Sequence, residues 1–123
     1  MRINVITIFP EIFDILNVGV ISKSLKNKII KLDVRDLRKN ATNKHNNIDS
    51  KPYGGGEGMV MMAEPIVKTL KQITKKERGK VIFMSPQGKK LDQKKVKSVS
   101  KLKNITIICG RYEGLIKELL INM

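Results

Sequence analysis

Two polar motifs, SPQGKKLD (residues 85–92) and CGRYEG (residues 109–114), directly follow apolar segments that have the composition of strands. In open α/β sheets, ligands bind beyond the carboxyl ends of the strands, so residues in these positions are candidates for binding. If the two strands are neighbours, residues 85–87 and 110–114 line one crevice. Glycine in such a crevice lets backbone groups approach a flat ligand closely. The motifs therefore predict a ligand site built largely from backbone groups.

A third motif, KPYGGGEGMVMM (residues 51–62), places four glycines within five positions, directly before an apolar run. It lacks the Lys-Ser/Thr ending of a phosphate-binding P-loop. It also fails the G-x-G-x-x-G pattern, because Met59 occupies the place of the third glycine. The residues thus support neither ATP hydrolysis nor a Rossmann cofactor site. They leave a functional loop and a simple mobile turn as open alternatives.

The side chains that could do chemistry are few. His45 is the single histidine and has no cysteine cluster near it, whereas zinc needs about four suitable ligands. We therefore expect no metal site and interpret His45 as a solvated loop residue, with a phosphate or substrate contact as the open alternative. Arg111, Tyr112 and Glu113 place a guanidinium, a ring and a carboxylate side by side. That set suits ligand recognition, although a surface ion pair between Arg111 and Glu113 is an equally open explanation.

The charge is strongly positive, since 25 Lys and Arg residues face 11 Asp and Glu residues for a net charge of +14. Such an excess suits a polyanion, because neutralised phosphates release condensed counterions. The alternative is a lysine-rich composition with no nucleic acid involved, and a solvated helix face equally explains Lys94, Lys95, Lys97 and Lys101. The single Cys109 and the lack of an export signal or a membrane-length apolar run predict a cytoplasmic protein.

The elements that position these motifs alternate between strands and helices. Short β-branched runs predict strands over 3–9, 31–37, 80–86 and 104–110. Helical spacing predicts helices after Pro10, near 20–30, over 64–76 and after the capping residue Asp92. The third helix should have Pro65 at its first position, and the fourth should bury Val96, Val99 and Leu102. This alternation predicts an α/β fold with a parallel sheet flanked by helices.

Four motifs together, ITIFPEIF, KPYGGGEGMVMM, FMSPQGKKLDQ and ICGRYEG, resemble in order and spacing the bacterial tRNA (guanine-N1)-methyltransferase family. The resemblance covers residues 1 to about 114. It implies a knotted α/β methyltransferase fold with a deep trefoil knot and a homodimer whose active sites lie at the subunit interface. It also implies methyl transfer from S-adenosylmethionine to N1 of the tRNA guanine just 3′ of the anticodon.

The resemblance assigns roles to residues of all three loops. The cofactor-binding residues would be Ser85, Pro86, Gln87, Gly110, Tyr112, Glu113 and Gly114. The loop at the substrate and the subunit interface would comprise Tyr53, Gly54, Gly55, Gly56 and Gly58, together with Arg111. Gly110 is the position most expected to lie against the adenine of the cofactor.

The sequence departs from the family pattern after Gly114. The family usually continues Ile-Asp-Glu-Arg, whereas this chain continues Leu115, Ile116, Lys117 and Glu118. By resemblance, the catalytic aspartate, the knot-threading segment and the C-terminal tRNA-binding domain lie beyond Met123. We therefore expect residues 1–123 to form a single truncated S-adenosylmethionine-dependent methyltransferase domain, without a catalytic residue and with impaired turnover. The alternative is a non-catalytic, basic RNA-binding remnant.

Overall fold

The computed structural model describes residues 1–40, 63–84 and 88–109, and the backbone of three two-residue strands at 49–50, 60–61 and 114–115. In chain order the elements are β1 (Arg2–Thr7), a 3-10 helix (Pro10–Asn17), α1 (Gly19–Lys26), β2 (Lys31–Asp36), a second 3-10 helix (Leu37–Asn40), β3 (Asp49–Ser50), β4 (Val60–Met61), α2 (Ala63–Lys71), α3 (Lys75–Arg78), β5 (Lys80–Met84), α4 (Gln93–Ser100), β6 (Asn104–Cys109) and β7 (Gly114–Leu115).

The main sheet has four strands in the order β2-β1-β6-β5, and every neighbouring pair is parallel. The predicted α/β fold with a parallel sheet is confirmed. Strand β1 lies in the interior, and its four consecutive residues from Asn4 to Thr7 are buried. Burial of consecutive residues means that both faces of β1 are covered, which is why its sequence is a nearly continuous apolar run.

The hydrophobic core lies towards the carboxyl half of the sheet. Its buried cluster combines side chains from the two central strands, from the segments that follow β1 and β2, and from α2: Ile6, Ile8, Leu37, Ile66, Leu70 and Ile108. Helix α2 packs against the second 3-10 helix. Because this cluster joins strands β1 and β6 to the elements around them, it holds the carboxyl ends of the strands in fixed positions.

A buried polar network holds α3 at the amino ends of the strands. The fully buried Asn4 amide donates to the backbone oxygens of Glu77 (2.9 Å) and Ile105 (3.2 Å). The Thr106 hydroxyl, also fully buried, donates to the backbone oxygen of Arg78 at 2.7 Å. Buried polar groups must find such partners to avoid a desolvation penalty. Central strands β1 and β6 therefore bind the last turn of α3 directly before Gly79.

Several helix boundaries differ from the sequence-based predictions. The predicted helix over 64–76 is divided, because Thr74 adopts extended backbone and its hydroxyl caps α3 by accepting from the Glu77 N–H at 3.2 Å. Pro65 is the third residue of α2 rather than the first. The segment after Pro10 is a 3-10 helix, and α1 ends at Lys26.

Helix α4 begins as predicted but is less covered than predicted. The Asp92 carboxylate caps it by accepting from the Lys95 N–H at 2.8 Å. The prediction that α4 buries its apolar face was wrong in part, because Val96 is 41% exposed and Leu102 is 37% exposed. The helix has no buried residue. Amphipathic spacing thus identified the helix, but the described neighbours do not cover its apolar side chains.

A membrane-spanning helix would need about 20 apolar residues. Within the ranges given above, no helix is long and apolar enough to cross a membrane.

Candidate functional site

The ends of β5 and β6 form the first part of the candidate site. These strands are adjacent and parallel, and their last residues, Met84 and Cys109, are partners in the register. Neighbouring strands lie about 4.8 Å apart, so the chain leaves the sheet at two points side by side. The condition on which the sequence prediction depended, that these two strands are neighbours, is confirmed.

The residues predicted to bind the cofactor follow these two strand ends. Ser85, Pro86 and Gln87 come directly after Met84, and Gly110, Tyr112 and Glu113 follow Cys109 together with Arg111, which was assigned to the substrate and interface loop. All seven lie outside the described residues, so their role stays a prediction. What the register establishes is that both segments start from adjacent positions at the carboxyl edge of the sheet.

A small second sheet relates the glycine loop to the same region. Strands β3 and β4 are antiparallel, and β4 pairs in parallel with β7. Val60 is the register partner of Ser50 on one side and of Gly114 on the other. The end of the CGRYEG motif therefore lies beside the end of the glycine loop. Of the predicted cofactor residues, Gly114 is the one whose backbone is described, and it belongs to β7.

The glycine loop itself connects β3 to β4. Its predicted residues Tyr53, Gly54, Gly55, Gly56 and Gly58 lie between these strands and outside the described residues. Because β3 and β4 pair with each other, the segment over 51–59 leaves and re-enters one small sheet. The described strands thus pair the motifs two at a time. The SPQGKKLD and CGRYEG motifs start side by side at the ends of β5 and β6, and the CGRYEG motif ends beside the end of the glycine loop.

The side chains at this edge are uncharged where β5 and β6 end. Met84 is exposed, and Cys109 is half-buried. Burial raises the pKa of the Cys109 thiol, because the thiolate loses hydration there. The thiol therefore stays protonated at neutral pH and is a poor nucleophile. An uncharged edge of this kind suits recognition of a neutral ring by backbone groups.

Polar groups at the ends of β1 and β2 are occupied by local contacts. The Thr7 hydroxyl accepts a hydrogen bond from the Phe9 N–H at 3.1 Å. The Asp36 carboxylate accepts from the Arg38 N–H at 2.9 Å and pairs with the Arg38 guanidinium at 3.5 Å. Asp36, the described carboxylate at this edge, is therefore engaged in the turn after β2 and is poorly suited to act as a base.

A groove of about 630 Å³ between β5 and α4 adjoins the site. Met84 and Gly88, which stand on either side of residues 85–87, both line it. Its lining combines apolar side chains, among them Ile82, Phe83 and Val99, with four lysines: Lys80, Lys89, Lys90 and Lys95. Small-molecule sites in proteins usually measure about 300–1,000 Å³ and have a mostly apolar lining, so the groove has the size and character of such a site.

Side-chain amide hydrogen bonds, which sequence reasoning missed, attach the chain before the glycine loop to α2. The Asn40 amide donates to the Thr69 hydroxyl at 2.8 Å, and the Gln72 amide donates to the Asn40 oxygen at 3.0 Å. The Thr69 hydroxyl is fully buried and donates to the Pro65 oxygen at 2.8 Å. These contacts attach the end of the second 3-10 helix to α2. They join residues 29 and 32 positions apart, so no local sequence signal marks them.

The described ranges contain no group of three or more His, Cys, Asp or Glu residues that could hold a metal ion. His45 lies outside these ranges.

Comparison with known proteins agrees with this geometry. The family model described as tRNA (guanine-1)-methyltransferase TrmD matches residues 1–122. The chain belongs to the tRNA (guanine-1)-methyltransferase family. Among curated relatives, the tRNA (guanine-N(1)-)-methyltransferase of Clostridium botulinum (strain Alaska E43) is 44% identical over 115 residues, which cover 94% of this chain and 48% of the relative. The enzyme of that name from Buchnera aphidicola subsp. Baizongia pistaciae is 46% identical over 125 residues, covering 99% and 50%.

A solved member of the tRNA (guanine-1)-methyltransferase family has the same fold. The crystal structure of the tRNA (m1G37) methyltransferase from Aquifex aeolicus matches with a TM-score of 0.85 at 35% identity, covering 97% of this chain and 55% of that one. The chain thus spans about half the length of the curated family members that it matches. The candidate site lies within the matched region, since all three motifs fall in residues 1–122.

Proposed function

We propose that this chain carries the cofactor-binding edge of an S-adenosylmethionine-dependent tRNA methyltransferase that acts on N1 of the guanine just 3′ of the anticodon. The observation that carries the proposal is the adjacent, in-register ending of β5 and β6 at Met84 and Cys109. It brings the two cofactor motifs to one edge of the sheet in a chain that belongs to this family.

The residues present at this edge fit the proposed cofactor. S-adenosylmethionine, when bound, would supply an electrophilic methyl group carried on a positively charged sulfur. Its adenine is flat and neutral, and Met84 and Cys109, the last residues of β5 and β6, are uncharged. We propose that backbone groups of Ser85, Pro86, Gln87, Gly110, Tyr112, Glu113 and Gly114 recognise it. Tyr53, the four loop glycines and Arg111 would border the guanine.

Removal of the N1 proton of guanine is the step to which the described residues contribute least. A positioned base accelerates such a transfer by about 10²–10⁴-fold. Asp36 is held by Arg38, and Asp33 in the middle of β2 is held by Arg2 and Arg35 at 3.0 Å each. We therefore propose that these 123 residues bind the cofactor and RNA but transfer the methyl group slowly by themselves.

The proposed RNA substrate is tRNA, which would place the protein in the cytoplasm. The net charge of +14 supports a polyanionic partner. Phosphate contacts of this kind position an RNA without reading its sequence, so selection of the guanine would depend on the site itself.

A titration calorimetry experiment tests the cofactor proposal. The 123-residue chain should bind S-adenosylmethionine saturably, and S-adenosylhomocysteine should compete with it. In a separate incubation with labelled cofactor and unmodified tRNA, nuclease digestion and mass spectrometry should locate any transferred methyl group on guanine N1. Lack of cofactor binding by folded protein would overturn the proposal. Binding of tRNA without binding of the cofactor would favour the non-catalytic RNA-binding remnant.

We also propose that the protein acts as a homodimer. The first 3-10 helix, α1 and Val18 between them expose several large apolar side chains, of which Ile15 is 71% exposed and Val20 is 80% exposed. Ile12, Val18 and Ile21 are exposed in the same stretch of the chain. Exposed apolar patches of this kind are typical of protein interfaces. A second copy that covers this surface would remove it from water.

A charge at the centre of this surface should weaken the dimer. Ile15→Glu is expected to raise the dimer dissociation constant by about tenfold or more, because loss of a hot-spot residue from an interface costs about 2 kcal/mol or more. Sedimentation equilibrium measures the effect. Leu91→Glu is the control, since Leu91 is similarly exposed but lies next to α4 near the opposite edge of the sheet. Equal weakening by both substitutions would contradict the assignment of this surface.

A further inference from the structure

The segment that includes α4 is the most basic part of the described chain. Residues 89–103 contain seven lysines and one acidic residue, Asp92. The Asp92 carboxylate already accepts the capping hydrogen bond from the Lys95 N–H. Among the ion pairs of the described residues, none involves a lysine of this segment. The segment therefore presents uncompensated positive charge.

Three of these lysines form one surface on α4 and the residue that follows it, here called the lysine face of α4: Lys94, Lys97 and the C-cap residue Lys101. Their spacing of three and four residues places them on the same side of a helix. All three are exposed. At 1.5 Å per residue they extend over about 10 Å. Lys95, by contrast, is partly covered and turns back, so that its ammonium donates to the Lys90 oxygen at 2.7 Å.

Repulsion within the lysine face lowers the stability of α4 taken as an isolated helix. Like charges at these spacings destabilise an isolated helix by about 0.2–0.5 kcal/mol per pair. No buried side chain of α4 offsets this cost, and Val96 and Leu102 are also exposed. A polyanion bound along the face would turn the repulsion into attraction and release condensed counterions.

The position of α4 connects the lysine face to the candidate site. Asp92 begins the helix eight residues after Met84, the residue at the carboxyl end of β5. From there α4 returns along the β5 side of the sheet to the start of β6. The lysine face therefore starts near the proposed cofactor edge and runs away from it.

We propose that the lysine face of α4 binds the phosphate backbone of the tRNA, as a contact surface separate from the site that receives the guanine. The proposal rests on the proposed function, because RNA is the partner it assumes. Contacts to phosphate position the RNA and do not read its sequence. The surface should therefore add affinity for any tRNA and leave the choice of the methylated base unchanged.

A pair of matched triple variants tests this proposal. Lys94→Gln/Lys97→Gln/Lys101→Gln removes the lysine face. Lys71→Gln/Lys75→Gln/Lys76→Gln removes the same number of charges from the end of α2 and from α3, which is held at the amino ends of the strands, away from the proposed cofactor edge. All six lysines are exposed and free of ion pairs with other described residues. Binding of fluorescent unmodified tRNA is measured by anisotropy from low to moderate salt.

The lysine-face variant should bind tRNA about tenfold more weakly than the control variant at low salt, and its salt dependence should be shallower by about 2–3 in log–log slope. Calorimetric binding of S-adenosylmethionine should be unchanged in both. Equal losses of tRNA affinity in the two variants would overturn the proposal that the lysine face binds the tRNA backbone, and would leave the proposed function intact. Absence of tRNA binding by the unmodified chain would overturn both the lysine face and the RNA substrate. If the lysine-face variant loses binding to anionic phosphatidylserine vesicles but keeps its affinity for tRNA, the lysine face binds a membrane surface, and the proposal is overturned as well.

Discussion

Gly79→Ala is expected to lower the free energy of unfolding by about 2–6 kcal/mol, because backbone strain and a steric collision add at this position. Gly79 has φ +59° and ψ −144°, a conformation that residues with a Cβ rarely adopt. A Cβ there would overlap the backbone oxygen of Asn104 and lie 2.5 Å from its carbonyl carbon. Asn104 begins the interior strand β6, so it cannot move away without disturbing the pairing with β1 and β5.

Equilibrium unfolding in urea, followed by circular dichroism, measures this effect. Gly19→Ala is the matched control, since Gly19 also has a positive φ of +78° but no atom lies within 4 Å of the added Cβ. In the control, the free energy of unfolding should fall by about 1–3 kcal/mol, from backbone strain alone. Similar midpoints for the two variants would show that the collision with Asn104 contributes nothing. A Gly79→Ala chain that is unfolded without urea would agree with the expectation.

Gly110→Val is expected to weaken binding of S-adenosylmethionine at least tenfold, or about 1.4 kcal/mol. Gly110 follows Cys109, whose register partner Met84 precedes the second cofactor motif. A branched side chain at the proposed contact with the adenine would collide with the ring or push the backbone away from it. Calorimetry of the folded variant gives the dissociation constant directly.

A smaller substitution at the same position controls for a general loss of structure. Gly110→Ala should weaken binding less than Gly110→Val, because the smaller side chain occupies less of the proposed cofactor space. Both variants should keep a free energy of unfolding within about 1 kcal/mol of that of the unmodified chain. Unchanged affinity in a normally folded Gly110→Val chain would remove Gly110 from the site.

Much of the local structure could be predicted because its causes are local. Asp92 caps α4 as expected, since a carboxylate placed before a helix accepts from a backbone N–H three residues later. Gly79 ends α3 with a backbone conformation that suits glycine alone. The division of α2 from α3 at Thr74 was missed. The apolar spacing ends at Ile73, directly before that point, and the Thr74 hydroxyl favours a new helix start.

The sequence by itself determined the alternation of strands and helices, the parallel sheet and the position of each motif after a strand. These features depend on composition and spacing within about ten residues. Only the tertiary structure decided that Met84 and Cys109 end side by side and that Val60 lies between Ser50 and Gly114. It alone also showed that Asn40 donates a hydrogen bond to Thr69 and that the apolar side chains around Ile15 are exposed. Such contacts join residues far apart in the chain, and the packing of the whole core selects them, so no local pattern encodes them.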